Sequence, residues 1–323
     1  MEYNTISKMF YHTVTNYSNK PLFNYKKDNV WNELTGADIH SIVKKIAFSL
    51  RLNEINAQDK VAILSNTSYE WALCDYGIIA SGAVTTTIYP TLLPGQIKYI
   101  LSDSDSKLVF VEDSIQLEKV KSIIDDCALL KKIVVMDNSL ENEEKDILNL
   151  NSFMILNPDE VEAQELDFEK MISSVKPHDL LTLIYTSGTT GQPKGVMLTH
   201  DNLISNVRGV QEISTIEKND SFLSFLPLSH VLERMAGHFS PFSVGAKIYY
   251  AENMESVAKN MSEVSPSIVI CVPRVFEKMY NAFVGAIEQS SIIKKKLFYW
   301  ALQVGKDYTN IVHANYKVPF YLN

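Results

Sequence analysis

With 323 residues, 46% of them hydrophobic, the chain is longer than a single core usually supports, so we expect two lobes. Its net charge of -8, from 38 acidic and 30 basic side chains, argues against the basic surface that a nucleic-acid partner requires. The three cysteines, Cys74, Cys127 and Cys271, are widely spaced, which indicates neither a disulfide framework nor a zinc site and favours a reducing compartment.

The N-terminal segment, residues 1–20, is polar and lacks the basic start and apolar core of a secretory signal. Nowhere does the chain approach the roughly 20 uninterrupted apolar residues that a membrane-spanning helix requires. We therefore expect a cytoplasmic protein that is at most peripheral to a membrane. The sequence leaves the oligomeric state open.

Between residues 34 and 137, apolar β-rich runs alternate with segments of helical spacing. The predicted strands are 61–64, 83–89, 108–111 and 133–136. The predicted helices between them are 68–81, 94–100 and 114–130. Because strands that alternate with helices form sheets covered on both faces, this series predicts a largely parallel sheet.

Residues 137–179 are acidic and polar, and we interpret them as a solvated connection. A second series then begins, with predicted strands 180–185, 222–226, 246–250 and 267–272. The predicted fold class is therefore α/β, with two stacked α/β subdomains, residues 1–179 and 180–323, that contain largely parallel sheets.

The helix predicted over residues 292–308 carries Lys294, Lys295 and Lys296 beside Leu297 and Trp300. A basic and apolar surface of this kind is typical of a helix that touches a membrane, so peripheral membrane contact is one expectation. A helix packed in the core is the simpler interpretation.

Residues 183–195, Leu-Ile-Tyr-Thr-Ser-Gly-Thr-Thr-Gly-Gln-Pro-Lys-Gly, are an apolar strand that runs directly into a loop. Glycines allow backbone N–H groups to approach an anion, and the loop has Gly188, Gly191 and Gly195. Hydroxyl donors are supplied by Thr186, Ser187, Thr189 and Thr190. Lys194 adds a positive charge suited to the terminal phosphates of a nucleotide. The pattern predicts a phosphate-binding loop.

Two common phosphate motifs do not fit this loop. The Walker pattern ends in Gly-Lys-Ser/Thr, whereas Pro193 and Gly195 flank Lys194 here. The dinucleotide pattern G-x-G-x-x-G is also absent. A flexible turn rich in glycine and threonine is the remaining alternative. It does not explain why donors and glycines fill nearly every position after a strand of buried type.

The segment 185–196, Tyr-Thr-Ser-Gly-Thr-Thr-Gly-Gln-Pro-Lys-Gly-Val, resembles the phosphate-loop signature of the adenylate-forming superfamily. The segment 225–234, Phe-Leu-Pro-Leu-Ser-His-Val-Leu-Glu-Arg, resembles a second motif of the same superfamily. Its His-Val-x-Glu-Arg form is similar to long-chain acyl-CoA synthetases, as are segments 88–92, 246–252 and 266–280. The resemblance covers most of the chain.

The resemblance implies the large N-terminal domain of an enzyme that joins a long-chain fatty acid to coenzyme A through an acyl-adenylate. It implies ATP and coenzyme A as co-substrates and Mg²⁺ as a cofactor, with Thr189 as the candidate magnesium ligand. The implied catalytic residues are Lys194 and His230. The implied nucleotide-binding residues are Thr186, Ser187, Gly188, Thr189, Thr190, Gly191 and Lys194.

Motifs that follow further downstream in the family, including the C-terminal lid domain, are absent from the chain, so we expect a fragment that is incomplete at its C-terminal end. An adenylate-forming ligase for another carboxylic acid is one alternative function. A non-catalytic remnant that binds a nucleotide is another.

Residues in and before the second motif have two interpretations each. His230 either faces the acyl and adenylate pocket at the carboxyl edge of a sheet or caps the helix that follows. Glu233 and Arg234 either support that pocket or form a solvated ion pair on a helix surface. Earlier in the chain, Thr199 is the expected N-cap of a helix that begins at His200.

Overall fold

A computed structural model of the chain describes residues 3–140, 144, 146–164, 166–186 and 191–313. Contacts between residues divide the chain into two units, Met1–Ile270 and Cys271–Asn323. Within the described residues, all strands belong to the first unit and the second unit contains two helices.

Eleven strands form two sheets in the described part of the first unit. In chain order they are β1 (Pro21–Lys27), β2 (Val30–Thr35), β3 (Lys60–Leu64), β4 (Val84–Ile88), β5 (Ser106–Val111), β6 (Lys132–Val135), β7 (Ile147–Asn149), β8 (Leu180–Thr186), β9 (Lys194–Thr199), β10 (Ser221–Ser224) and β11 (Lys247–Tyr250). The larger sheet has the order β7-β6-β5-β3-β4-β8-β9, and the smaller has the order β10-β11-β1-β2. Neighbouring strands are parallel except β8 with β9 and β1 with β2. The predicted α/β fold with largely parallel sheets is confirmed.

Helices separate the strands. They are α1 (Ile6–Asn16), α2 (Gly36–Leu52), α3 (Tyr69–Ala80), α4 (Pro94–Asp103), α5 (Ser114–Lys121), α6 (Leu150–Phe153), α7 (Pro158–Ala163), α8 (Phe168–Ser174), α9 (His200–Ile213), a π-helix (Glu233–Phe239), α10 (Ser240–Ser243), α11 (Val257–Val264), α12 (Pro273–Glu288) and α13 (Ile292–His313). The predicted N-cap Thr199 is confirmed, because its hydroxyl accepts a hydrogen bond from the Asn202 N–H at the start of α9.

Strand β3 shows why the centre of the larger sheet is apolar on both faces. Val61 and Ile63 pack into one core cluster, Ala62 and Leu64 pack into another, and all four are fully buried. Successive side chains of a strand point to opposite faces, so a strand covered on both sides buries all of its side chains and favours apolar ones. The ends of the strands are therefore the part of this sheet that a ligand can reach.

The smaller sheet joins distant parts of the chain. β1 pairs in parallel with β11, with Phe23 opposite Ile248. β1 also pairs with β2 through a tight turn at Asp28 and Asn29, whose φ angles are 52° and 61°. Asp and Asn tolerate this left-handed backbone better than other residues with a side chain.

Seven of the predicted strands are present to within two residues at each end. The strand predicted over 267–272 is wrong, since only Ile268 forms a single bridge, with Phe222. The helix predicted over 114–130 is shorter than expected, because α5 ends at Lys121 and a short 3₁₀ turn follows at Ile124–Asp126.

The segment interpreted as a solvated connection contains β7 and the short helices α6, α7 and α8. Phe153, Phe168 and Ile172 from this segment are buried in the core, so it contributes to packing as well as to the acidic surface. The division into residues 1–179 and 180–323 stays a prediction. Both sheets contain strands from the two sides of that boundary.

The second unit consists of α12 and α13 in the described residues. Glu288 connects them, because its carboxylate accepts hydrogen bonds from the Tyr299 hydroxyl at 2.6 Å and from the Lys295 ammonium at 3.1 Å. No residue of either helix is buried. Within the described ranges, the length and hydropathy that a bilayer-crossing helix needs are found in none of the helices.

Candidate functional site

The predicted phosphate loop starts and ends at a pair of antiparallel strands, β8 and β9. Thr186, the last residue of β8, lies directly opposite Lys194, the first residue of β9. Lys194 is exposed. Gly191 has a φ angle of 126°, which residues with a side chain rarely adopt, so a glycine is required there. The two ends of the loop therefore lie next to each other at the carboxyl end of β8.

Four predicted ligands of the nucleotide, Ser187, Gly188, Thr189 and Thr190, lie outside the described residues. Their roles stay predictions. Of the predicted ligands, the structure places only Thr186, Gly191 and Lys194, which lie at the two ends of the loop.

Helix α4 fixes both sides of the loop stem. The Tyr185 hydroxyl donates to the Asp103 carboxylate at 2.7 Å, and the Tyr99 hydroxyl donates to the Pro193 carbonyl at 3.1 Å. A Cβ atom at Gly195 would lie 3.1 Å from the Tyr185 ring, so this glycine makes room for the tyrosine. Sequence reasoning missed these contacts, since nothing along the chain indicates that Tyr99 reaches the loop.

His230 lies at the same sheet edge as the loop stem. The segment that carries it is held by threonines: the Thr87 hydroxyl, near the carboxyl end of β4, donates to the Ser229 carbonyl at 3.1 Å. The Thr67 hydroxyl, after β3, donates to the Leu226 carbonyl at 2.6 Å. β4 is the direct neighbour of β8, so the segment that carries His230 lies beside the strand adjacent to the one that leads into the loop.

The His230 ring also stabilises its own turn. Its Nδ1 accepts a hydrogen bond from the Leu232 N–H at 3.2 Å, and the side chain is exposed. The capping interpretation is thus correct for one ring nitrogen. With Nδ1 as acceptor, the proton is on Nε2, which is left as a donor.

Glu233 and Arg234 do not form a solvated pair, because both are 1% exposed. The Arg234 guanidinium donates to the two oxygens of the Asp75 carboxylate at 2.9 and 2.5 Å and to the Thr182 hydroxyl at 2.7 Å. Asp75 lies on α3, far away in sequence, and no local pattern predicts this partner.

Glu233 points into the protein on another side of the π-helix. Its carboxyl accepts a hydrogen bond from the Ser224 hydroxyl at 2.6 Å, and burial raises its pKa to about 8 despite that bond. A Cβ atom at Gly237 would lie 2.5 Å from the carboxyl oxygen, so the glycine one turn later makes room for it. Further along the π-helix, His238 contacts the Tyr250 hydroxyl at 3.2 Å, and burial lowers the His238 pKa to about 3.

A cavity of about 590 Å³ opens among residues that follow β3, β4, β5, β10 and β11. Stacked rings of Tyr25 and Tyr69, with centroids 3.8 Å apart, form part of its wall. Its acidic lining residues include Glu70, Glu112 and Glu252. Lys26 also lines the cavity, but its ammonium is bound to Glu263 at 2.8 Å. An acidic cavity is a poor site for a triphosphate.

No cluster of three or more His, Cys, Asp or Glu side chains that would hold a metal ion exists within the described ranges. The predicted magnesium ligand, Thr189, lies outside those ranges. The magnesium site therefore stays a prediction.

A largely parallel α/β fold with a loop rich in glycine and hydroxyl groups at its strand ends defines a class of proteins that bind nucleotide phosphates. The family of AMP-binding enzymes matches residues 10–305. The chain belongs to this family.

Among curated relatives, the chain is 31% identical over 322 residues to the long-chain-fatty-acid-CoA ligase ACSBG2 of Xenopus laevis, covering 98% of this chain and 43% of that protein. It is 31% identical over 287 residues to the long-chain-fatty-acid-CoA ligase FadD15 of Mycobacterium bovis, covering 87% of this chain and 45% of that protein. The chain therefore spans less than half the length of these relatives.

Solved structures support the fold. The anthranilate CoA ligase AuaEII in complex with anthranoyl-AMP has a TM-score of 0.71 at 22% identity, over 83% of this chain and 49% of that one. A long-chain-fatty-acid-CoA ligase (FadD1) from Archaeoglobus fulgidus has a TM-score of 0.72 at 19% identity, over 89% of this chain and 54% of that one.

Proposed function

We propose that the chain is the phosphate-binding part of a long-chain fatty acid-CoA ligase. In the proposed reaction the fatty carboxylate attacks the α-phosphorus of ATP, pyrophosphate leaves, and an acyl-adenylate forms. The thiol of coenzyme A then attacks the acyl carbonyl and AMP leaves. The names of the curated relatives support this substrate class. The observation that carries the proposal is the exposed Lys194 opposite Thr186 at the carboxyl end of β8.

In this proposal, Lys194 stabilises the negative charge that develops during the reaction. Negative charge moves onto the phosphate oxygens as pyrophosphate departs, and a nearby ammonium group stabilises that charge. β8, β9 and the contacts from α4 hold the stem of the loop in place, so the lysine backbone is fixed before the nucleotide binds. The loop hydroxyls of Thr186, Ser187, Thr189 and Thr190 are proposed as further donors.

His230 is proposed to donate from Nε2 to an oxygen of the adenylate or of the reacting carboxylate. Its Nδ1 is occupied by the Leu232 N–H, which fixes the ring and its tautomer. The Thr67 and Thr87 contacts hold its segment at the sheet edge next to the end of β8. The acidic cavity is not assigned to the triphosphate, because its carboxylates would repel the phosphates.

Calorimetric titration of ATP into the purified chain tests the phosphate site. Lys194→Ala is expected to weaken ATP binding by about tenfold or more, since one charge-assisted contact contributes roughly 1.5–3 kcal/mol. The fold should persist, because Lys194 is an exposed residue at the end of an edge strand. Lys45→Ala, at an exposed position on α2, is the matched control and should bind ATP as the parent does. Equal affinity in both variants and the parent would contradict the assignment.

Exchange of labelled pyrophosphate into ATP separates the alternative functions. Exchange that depends on long-chain fatty acids supports the proposed ligase. Exchange that depends on an aromatic or short acid would show that such an acid, and not a fatty acid, is the substrate. An anthranilate CoA ligase is among the proteins of similar structure. ATP binding without exchange for any acid would indicate a chain that binds nucleotide but lacks the groups needed for turnover.

A further inference from the structure

Arg234 is a buried cation that joins the π-helix to α3 and to β8 of the larger sheet. It lies at the start of the π-helix, after β10 of the smaller sheet, and its side chain is 1% exposed. Its guanidinium binds Asp75 and Thr182, which belong to elements on and beside the larger sheet. Three hydrogen bonds from one side chain thus link the π-helix to α3 and to β8.

The partners of Arg234 are themselves tied together. The Asp75 carboxylate on α3 also accepts a hydrogen bond from the Thr85 hydroxyl on β4 at 2.7 Å. The Thr182 hydroxyl on β8 donates to the Thr85 carbonyl at 2.7 Å. The result is a closed network in which α3, β4, β8 and the π-helix each contribute at least one group. Thr182 is on the strand that leads directly to the phosphate loop at Thr186.

The same arginine belongs to the turn that carries His230. The Arg234 N–H donates to the His230 carbonyl at 3.2 Å, so the two residues share a helical turn. Rings of Trp71 and Phe239 lie 5.5 and 5.4 Å from the guanidinium carbon and limit how it can move. Arg234 therefore contacts, through one backbone group and one side chain, both the His230 turn and the strand of the phosphate loop.

Stability alone is a weak reason for such a pair. Removing two charges from water is costly, and well-packed apolar residues often stabilise a core as well as a buried ion pair does. A planar guanidinium bound at three points differs from apolar packing, because its hydrogen bonds fix the orientation of the side chain and its distance from each partner.

We propose that Arg234 is a positioning residue that sets the place of His230 relative to the phosphate loop, with Asp75 and Thr182 as its anchors. It touches neither substrate nor nucleotide in this role. The effect on ATP binding rests on the proposed function of the loop, whereas the effect on His230 does not.

Arg234→Lys tests the proposal. The charge is kept, but a single ammonium does not reproduce the fork that binds Asp75 at two oxygens and Thr182 as well. The variant is expected to fold and to bind ATP about tenfold more weakly than the parent in calorimetry at a temperature well below unfolding. Thr182→Val, which removes the bond to β8 and keeps the ion pair, should weaken binding less.

A control separates positioning from general loss of stability. Val134→Ala shortens a buried side chain of β6, which is separated from β8 by β5, β3 and β4. It should lower the free energy of unfolding, measured with urea, while the ATP affinity stays that of the parent. If Arg234→Lys loses no more affinity than Val134→Ala, the positioning role is overturned.

The ring resonances of His230 provide a measurement without nucleotide. In ¹³C-histidine-labelled protein, Arg234→Lys is expected to shift the His230 signal, identified with a His230→Gln variant, and to leave the exposed His178 signal in place. Because the charge at position 234 is kept, a shift reports a changed position of the ring. An unshifted His230 signal would overturn the inference. If the parent protein does not bind ATP, the proposed function is overturned. The His230 signal still tests the positioning role of Arg234 in that case.

Discussion

At the scale of single residues, Glu233 shows how the π-helix places an ionisable group where water does not reach. The wide turn directs Glu233 towards Ser224 and Arg234 towards Asp75, so neighbouring residues enter different parts of the core. Single π turns occur frequently at functional sites. Here the π-helix begins three residues after His230, so it directly follows a residue of the candidate site.

Glu233 should make the stability of the protein depend on pH. Burial raises its pKa from the ordinary 4.5 to about 8, so the folded protein holds a proton that the unfolded chain releases. The stabilising effect of that proton is complete below pH 4.5 and is lost as the pH rises through about 8. The free energy of unfolding should fall by up to about 1.4 kcal/mol per pH unit from this group.

Urea unfolding at several pH values between 5 and 8 measures this effect. Glu233→Gln, which has no proton to lose, should remove the decline relative to the parent. His200 and His238, whose pKa values burial lowers to about 3, act in the opposite direction below pH 6.5 in both proteins and cancel in the comparison. Parallel pH profiles for the parent and the variant would show that Glu233 is ionised in the folded protein.

At the scale of elements, α13 is the part for which the sequence left two interpretations. Its apolar residues Ile293, Leu297 and Trp300 are 79%, 60% and 63% exposed, and three lysines stand beside them. Peripheral membrane contact through this helix stays a proposal. The combination of aromatic, apolar and basic side chains is the composition that membrane interfaces favour.

Co-sedimentation with vesicles that contain phosphatidylserine tests the helix. The chain should bind, and the triple variant Lys294→Glu, Lys295→Glu, Lys296→Glu should bind much less, since each lysine near an anionic surface contributes about 1 kcal/mol. A control with the same net charge is the triple variant Lys27→Glu, Lys45→Glu, Lys218→Glu, which changes exposed lysines in the first unit. Equal binding by the two triple variants would exclude α13 as the contact.

The elements that the sequence predicted well are those whose residues are buried on both faces. Strands such as β3 and β5 appear as short apolar runs because both faces meet helices. β9 was missed, since Val196 and Met197 are exposed on an edge strand and the segment alternates poorly. The π-helix was missed as well, because helical spacing does not distinguish it from an α-helix.

In the candidate site, too, some features were predictable from the sequence and others were not. The phosphate loop and His230 were predicted because each lies within a contiguous motif. Their roles stay predictions, because the structure describes only the stem of the loop, at the end of β8, and the segment of His230, beside the end of β4. The Arg234 contact to Asp75 spans 159 residues and has no local signature. Contacts of this kind depend on the tertiary fold, which a single sequence does not reveal by spacing.

At the scale of the whole first unit, Phe23 shows how strongly the N-terminal hairpin is tied to later parts of the chain. Its ring is fully buried and lies 5.5 Å from the Phe242 ring and 5.4 Å from the Tyr250 ring. Phe23→Ala should lower the free energy of unfolding by about 3–5 kcal/mol, because it leaves a cavity between distant segments.

The control for this variant is on the same hairpin. Val30→Ala changes a side chain that is 61% exposed and should alter the free energy of unfolding by no more than about 0.5 kcal/mol. Urea denaturation followed by circular dichroism compares the two. Similar small losses in both would mean that the hairpin contributes little to the stability of the first unit.

The parallel pairing of β1 with β11 also has a consequence for how the protein is made. Asn24 donates to the Ile248 carbonyl across 224 residues of chain. Ribosomes add about 5–20 residues per second, so the N-terminal hairpin emerges roughly 10 to 45 s before its partner strand is translated. During that interval the edge of β1 that later pairs with β11 has no native partner, which leaves it open to pairing with a wrong strand.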